Sequence, residues 1–121
     1  MENKKILIVE DEMIIALLIE RMVNDLGYEV IAKVVSGEEA VMAATEYNPD
    51  IILMDIRLQG EIDGIEAVSR IRKTRSIPII YISGNTDKLH QDKIEKSERI
   101  DFLSKPITLS DLSRSLKRVA S

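Results

Sequence analysis

The sequence contains no cysteine, which removes disulfides, thiolate metal sites and cysteine nucleophiles together and fits a reducing compartment. Basic charge is also in short supply. The 17 Lys and Arg residues stand against 21 Asp and Glu, a net charge of -4, so the chain as a whole offers no cationic face and no direct nucleic-acid partner is expected. The apolar run near the N-terminus covers only residues 6–9 before it meets acids. It is neither a signal peptide nor a membrane span, so no membrane insertion is expected and the chain is read as cytoplasmic. There is no linker, internal repeat or low-complexity tract, and the single histidine, His90, lies in a polar stretch and reads as a solvated residue. What is left, 121 residues of which 45% are hydrophobic and 31% charged, is the composition of one globular domain spanning 1–121.

Three short apolar runs rich in β-branched residues, 6–9, 51–54 and 79–82, read as strands buried on both faces, as in the middle of a parallel sheet. Residues 28–35 and 100–103 alternate more and suit edge strands. Residues 13–26 are apolar at near-helical spacing and stop at Gly27, a suitable left-handed terminator. Ser36 with Glu39 is a capping box, Thr108 with Asp111 repeats the pattern, and Asp63 can cap a helix running towards Arg75. Leu109, Leu112, Leu116 and Val119 mark a final amphipathic helix. The polar segment 85–99, with Leu89 and Ile94 as its apolar anchors, completes five helices. Met42 and Met54 fit the core. Five strand–helix repeats with right-handed crossovers imply a doubly wound α/β fold around a five-stranded parallel sheet.

In such a sheet the ligand site lies beyond the carboxyl ends of the strands. The residues leaving the strands are Glu10, Asp11 and Glu12, then Asp55, then Ser83 and Gly84, then Lys105 before Pro106. Carboxylates packed together repel unless a hard cation sits among them, and Mg²⁺ suits one or two carboxylates, waters and a phosphate. With a phosphoryl group present, the cation and Lys105 would neutralise its oxygens and Ser83 would donate a hydrogen bond, leaving Asp55 as the attacking carboxylate. Taken singly, each residue has a plainer reading. The three acids could complement the dipole of the helix that follows, Asp55 and Ser83 could be turn residues, and Lys105 a solvated loop lysine. Their joint placement at four strand ends favours a site.

The acid pair, lone Asp, Ser and Lys-Pro, in the segments KKILIVEDE, IILMDI, IIYISG and DFLSKPI, resemble the response-regulator receiver family over the whole chain. The resemblance implies the flavodoxin-like strand order 2-1-3-4-5 and a stand-alone phosphoacceptor of a two-component phosphorelay, a signalling domain that catalyses its own phosphorylation and dephosphorylation. It implies Asp55 as the phosphorylation site, Lys105 as the phosphate-binding lysine, and Mg²⁺ held by Glu10, Asp11, Asp55 and the backbone carbonyl of Arg57. Ser83 and Phe102 would be the switch pair, read out on the surface of the 85–99 segment, the fifth strand and the last helix. It further implies a cis Lys105–Pro106 bond, a histidine kinase or phosphotransfer protein as donor, an unspecified protein target, and room for a phosphorylation-dependent dimer.

Two features depart from the family pattern: the loop IRLQGEIDG stands where the family often has Met-Pro and one residue fewer, and Phe102 lacks the hydroxyl of the commoner tyrosine. The resemblance also puts Arg57 and Asn85 at positions that in this family help set acyl-phosphate lifetime. The alternative to a phosphoacceptor is a degenerate receiver that only binds protein, which the retained chemistry at every matching position disfavours. A haloacid-dehalogenase-type hydrolase wants a second Asp where Arg57 stands. A flavodoxin-like carrier would need a turn after strand 1 that cradles flavin phosphate, and this one is acidic.

Overall fold

The computed structural model of the chain describes residues 3–84 and 99–120. Its strands are β1 (Lys5–Val9), β2 (Glu29–Val34), β3 (Ile51–Asp55), β4 (Ile79–Ser83) and β5 (Ile100–Ser104), joined in one parallel sheet of order β2-β1-β3-β4-β5. The helices among the described residues are α1 (Met13–Asp25), α2 (Gly37–Tyr47), α3 (Gly64–Arg72) and α4 (Leu109–Ala120). Most of the segment expected as a further helix, including Asn85, Leu89, His90 and Ile94, lies outside the described residues. No described helix is long and apolar enough to cross a membrane.

The continuous apolar strands are buried because both faces of the sheet are covered. Leu7, Val9, Ile52, Met54 and Tyr81 pack with α2 and α3 on one side; Ile6, Ile8, Leu53, Ile80 and Ile82 pack with α1 and α4 on the other. Alternate residues of each strand therefore feed two separate cores, as the pleat requires. β2 and β5 are the edges, as expected. β2 is half-buried along most of its length where alternation was expected. A register shift pairs Ile6 with Val30 and Leu7 with Ala32, so Ile31 is the extra residue that breaks the period of two.

The helix starts follow the caps. The Ser36 hydroxyl oxygen accepts from Glu39 N at 3.1 Å and its O–H donates to Glu39 Oε2 at 3.0 Å; Asp63 Oδ1 accepts from Glu66 N at 2.9 Å, and Thr108 Oγ1 from Asp111 N at 3.1 Å. Gly27 has φ +88°, in keeping with its place after α1. α3 runs from its Asp63 cap towards Arg75 as expected and ends at Arg72, beyond which Thr74 N and Arg75 N still bond to Ile71 O and the Arg72 guanidinium donates to Ile77 O. One expectation fails. Met42 is 69% exposed, since α2 packs through the small face of Gly37, Ala40, Ala43 and Ala44, and position 42 lies on the opposite side.

Candidate functional site

The sheet brings Glu10, Asp55, Ser83 and Lys105 to one edge. β1, β3 and β4 are neighbours in register, with Val9 beside Met54 and Asp55 beside Ile82, so the residue after β1 and the last residues of β3 and β4 emerge together. Asp55 and Ser83 close their strands at 2% and 1% exposure, and Glu10 follows β1 at 1%. Lys105 reaches the same place from the loop after β5, anchored by its N–H to Ser83 O at 2.8 Å. The Lys105–Pro106 peptide is cis, as the resemblance implied.

Lys105 Nζ lies 3.1 Å from Asp55 Oδ2 and 3.2 Å from Glu10 Oε1, one ammonium between two buried carboxylates. The other Asp55 oxygen, Oδ1, accepts from Arg57 N at 3.1 Å. Glu10 Oε2 is buried with no hydrogen-bond partner among the described residues. A carboxylate oxygen so placed wants either a proton or a cation. Without a cation it takes the proton: burial first, then the hydrogen bond with and the charge of Asp55, push the Glu10 carboxyl up to about 8 against the opposing pull of Lys105. For Lys105, burial works against the charge, yet the Asp55 and Glu10 carboxylates outweigh it and its ammonium is held above the usual value.

Asp11 completes the cluster: Glu10, Asp11 and Asp55 each present a carboxylate oxygen, all within 4.8 Å of one another. An all-oxygen set with one orphaned, buried oxygen fits a small hard cation such as Mg²⁺. Glu12 does not join. It is exposed at the N-terminal cap of α1 and its side chain makes no capping bond. The first turn of α1 holds no acid, so complementing the helix dipole explains neither Glu10 nor Asp11.

Gly64, the first residue of α3, sits against the strand that carries Asp55. Its N–H donates to Ile56 O at 2.9 Å, and a Cβ there would lie 2.2 Å from Asp55 O. Only glycine allows that approach. Phe102, on β5, is half-buried and stacks on Tyr81 of β4 with ring centroids 5.5 Å apart and planes 22° from parallel. Sequence reasoning missed two neighbours of the site. One is a cleft of about 330 Å³ lined by Ile15, Leu18, Met22, Lys105 and Ile107, beside the exposed Met13, Ile14, Leu17 and Leu18 of α1; the unusually apolar stretch MIIALLI was the available signal. The other is Glu38, which accepts from Ile62 N and which sequence gives no reason to connect with the loop that follows Asp55.

The sequence profile of the response regulator receiver domain matches residues 6–117. The transcriptional regulatory protein PdtaR of Mycobacterium tuberculosis is 30% identical over 118 residues, a match covering 98% of this chain and 57% of that protein. The chain thus spans little more than half the length of that relative. The chemotaxis protein CheY of Listeria monocytogenes is 35% identical over 118 residues, covering 96% of this chain and 98% of its own. Among solved structures, the receiver domain of a sensor histidine kinase from Pseudomonas aeruginosa, with a magnesium ion coordinated in its active site cleft, is similar at a TM-score of 0.84 and 31% identity, covering 99% of this chain and 100% of that one.

Proposed function

The chain belongs to the response regulator receiver family of two-component signalling, and we propose that it is a working phosphoacceptor, taking a phosphoryl group on Asp55 from a phosphohistidine of a partner kinase or phosphotransfer protein. The observation that carries this reading is the single Lys105 ammonium bridging Asp55 Oδ2 and Glu10 Oε1 at a buried strand end, next to an orphaned carboxylate oxygen. That arrangement is poor for stability and suited to receiving a cation and an anion together.

In the reaction an Asp55 carboxylate oxygen attacks phosphorus, the O–P bond forms, and the P–N bond to the donor imidazole breaks with the imidazole leaving. Lys105 balances charge on the transferred phosphoryl oxygens, and the Ser83 hydroxyl donates to one of them. Mg²⁺, when bound, neutralises the developing negative charge; Glu10, Asp11, Asp55 and the Arg57 carbonyl would hold it, and the related Pseudomonas domain carries magnesium in its cleft. The same residues serve hydrolysis of the acyl phosphate, so the domain is a signalling element that turns over its own modification. The exposed apolar residues of α1 beside the site are of the kind a partner covers, which supports docking of the donor on that helix.

Output then runs through Ser83 and Phe102 to the face of β5 and α4, with Phe102 shifting by packing against Tyr81 since it has no hydroxyl to lock it. The domain acts in the cytosol as one folding unit over residues 1–121. Incubation of the chain with acetyl phosphate and Mg²⁺ followed by intact-mass measurement should yield one phosphoryl adduct, and Asp55→Asn should yield none while remaining folded. An adduct of equal yield on Asp55→Asn would move the acceptor elsewhere.

A further inference from the structure

The loop that follows Asp55 does not hang free beside the site. Its two ends are tied to the end of β3 and the residue after it, by Arg57 N donating to Asp55 Oδ1 at 3.1 Å and by Gly64 N donating to Ile56 O at 2.9 Å. Its middle is fixed to a different element, the start of α2. Ser36 and Gln59 form an isolated parallel bridge. Ile62 N donates to Glu38 Oε1 at 3.0 Å. The other oxygen of that carboxylate, Oε2, lies where a Cβ on Gly60 would come within 2.8 Å, and Gly60 has φ +113°. Ile62 is itself buried and packs on Gly37, where a Cβ would stand 2.7 Å from Ile62 Cγ1. Adjacent glutamates divide the work: Glu39 caps its own helix through Ser36, while Glu38 reaches across to the loop.

We propose that Glu38 is a positioning residue for the cation site: by clasping Ile62 N over Gly60 it fixes the course of loop 57–62, and with it the Arg57 main chain that stands next to the Asp55 carboxylate. This rests on the reading of Glu10, Asp11, Asp55 and the Arg57 carbonyl as the cation's ligands. The physical reason lies in the loop's length. A connection with an extra residue and a glycine at positive φ has more backbone freedom to lose, so a backbone carbonyl within it is a poor ligand unless something outside the loop holds it. Groups that orient a ligand without touching the metal are the usual means. The bond at Arg57 N holds the entry to the loop and that at Gly64 N its exit; between them the Ser36–Gln59 bridge and Glu38, bonded to Ile62 N, hold the course on which the direction of the Arg57 carbonyl depends.

The test is Mg²⁺ titration by calorimetry into the metal-free chain, with exchange of the Ile62 amide followed by NMR on the same samples. Glu38→Ala is expected to weaken Mg²⁺ by about 10-fold, the scale for removing a group that orients a ligand, and to speed exchange at Ile62. Glu38→Gln keeps one acceptor oxygen and is expected to restore both readouts. Glu39→Ala removes a helix cap, so it should lower thermal stability and leave Mg²⁺ affinity unchanged; a purely structural effect would move the two together. If Asp11→Asn abolishes binding while Glu38→Ala binds as the unaltered chain does, the role of Glu38 is refuted and the cation site stands. If Glu38→Gln is as weak as Glu38→Ala, charge and not the clasp is responsible, and the inference fails. If the unaltered chain takes up no Mg²⁺, the cation site fails and the inference falls with it.

Discussion

Replacing Glu10 by Gln should make the metal-free protein more stable, and by an amount that grows with pH. Glu10 is buried, faces Asp55, and holds its proton up to about pH 8 in the fold, against 4.5 for an ordinary glutamate. Between those values the folded chain binds a proton that the unfolded chain has released. The contribution of Glu10 to stability is therefore fully present below about pH 4.5 and is lost as pH rises towards about 8. One such group loses about 1.4 kcal/mol per pH unit, so on the order of 3 kcal/mol is gone by pH 7. Gln has the same shape and no charge to desolvate. Urea unfolding followed by far-ultraviolet circular dichroism, in chelator, at about pH 5 and about pH 8 should show the stability difference between Glu10→Gln and the unaltered chain widening by roughly 2–4 kcal/mol. Subtracting the variant cancels whatever pH dependence the two chains share. Parallel profiles would mean that Glu10 ionises like a surface carboxyl, and the account of the orphaned oxygen would be wrong.

Lys105→Met leaves Glu10 and Asp55 facing each other without their shared ammonium; it should cost about 3 kcal/mol, the low end for a broken buried pair because Lys105 is partly exposed, and slightly less at pH 5, where Glu10 keeps its proton, as read by the same unfolding assay. Gly64→Ala drives a Cβ into the Asp55 carbonyl and should destabilise by about 1–3 kcal/mol or more, with a shifted Asp55 amide resonance; a variant as stable as the unaltered chain would show that the β3–α3 junction is loosely held.

The sheet was legible because of where its polar residues fall. A parallel strand buried on both faces must be apolar throughout, so the polar residue that ends each run marks the carboxyl edge: Glu10 after residues 6–9, Asp55 after 51–54, Ser83 after 79–82. Side-chain burial on the helices was less legible. α1 carries more apolar residues than its inward face can use, burying Ala16, Ile19 and Val23 while Met13, Ile14 and Leu17 stay outside. α2 reverses the usual cue, since its inward face is glycine and alanine and its methionine faces out. Composition alone cannot separate an apolar residue that packs from one that waits for a partner.

Within the site, the acid run shows the limit most sharply. Period-two reasoning would put Glu10 and Glu12 on one side of a continuing strand, yet the chain bends at Asp11, turning Glu10 inward and leaving Glu12 at the helix cap. Which two of three acids meet Asp55 is decided by that bend, and no local signal encodes it. Glu38 was less legible still. In the first turn of a helix a glutamate reads as a complement to the helix dipole, which is how Glu38 and Glu39 look side by side. Its partner is 24 residues away, and the contact exists only because the β2–α2 and β3–α3 loops leave neighbouring regions of the same sheet edge and meet at the Ser36–Gln59 bridge. Residues that do chemistry at a strand end can be read from where the strand stops, whereas a residue that holds a loop in place is defined by a second segment, so it becomes visible only once both are folded.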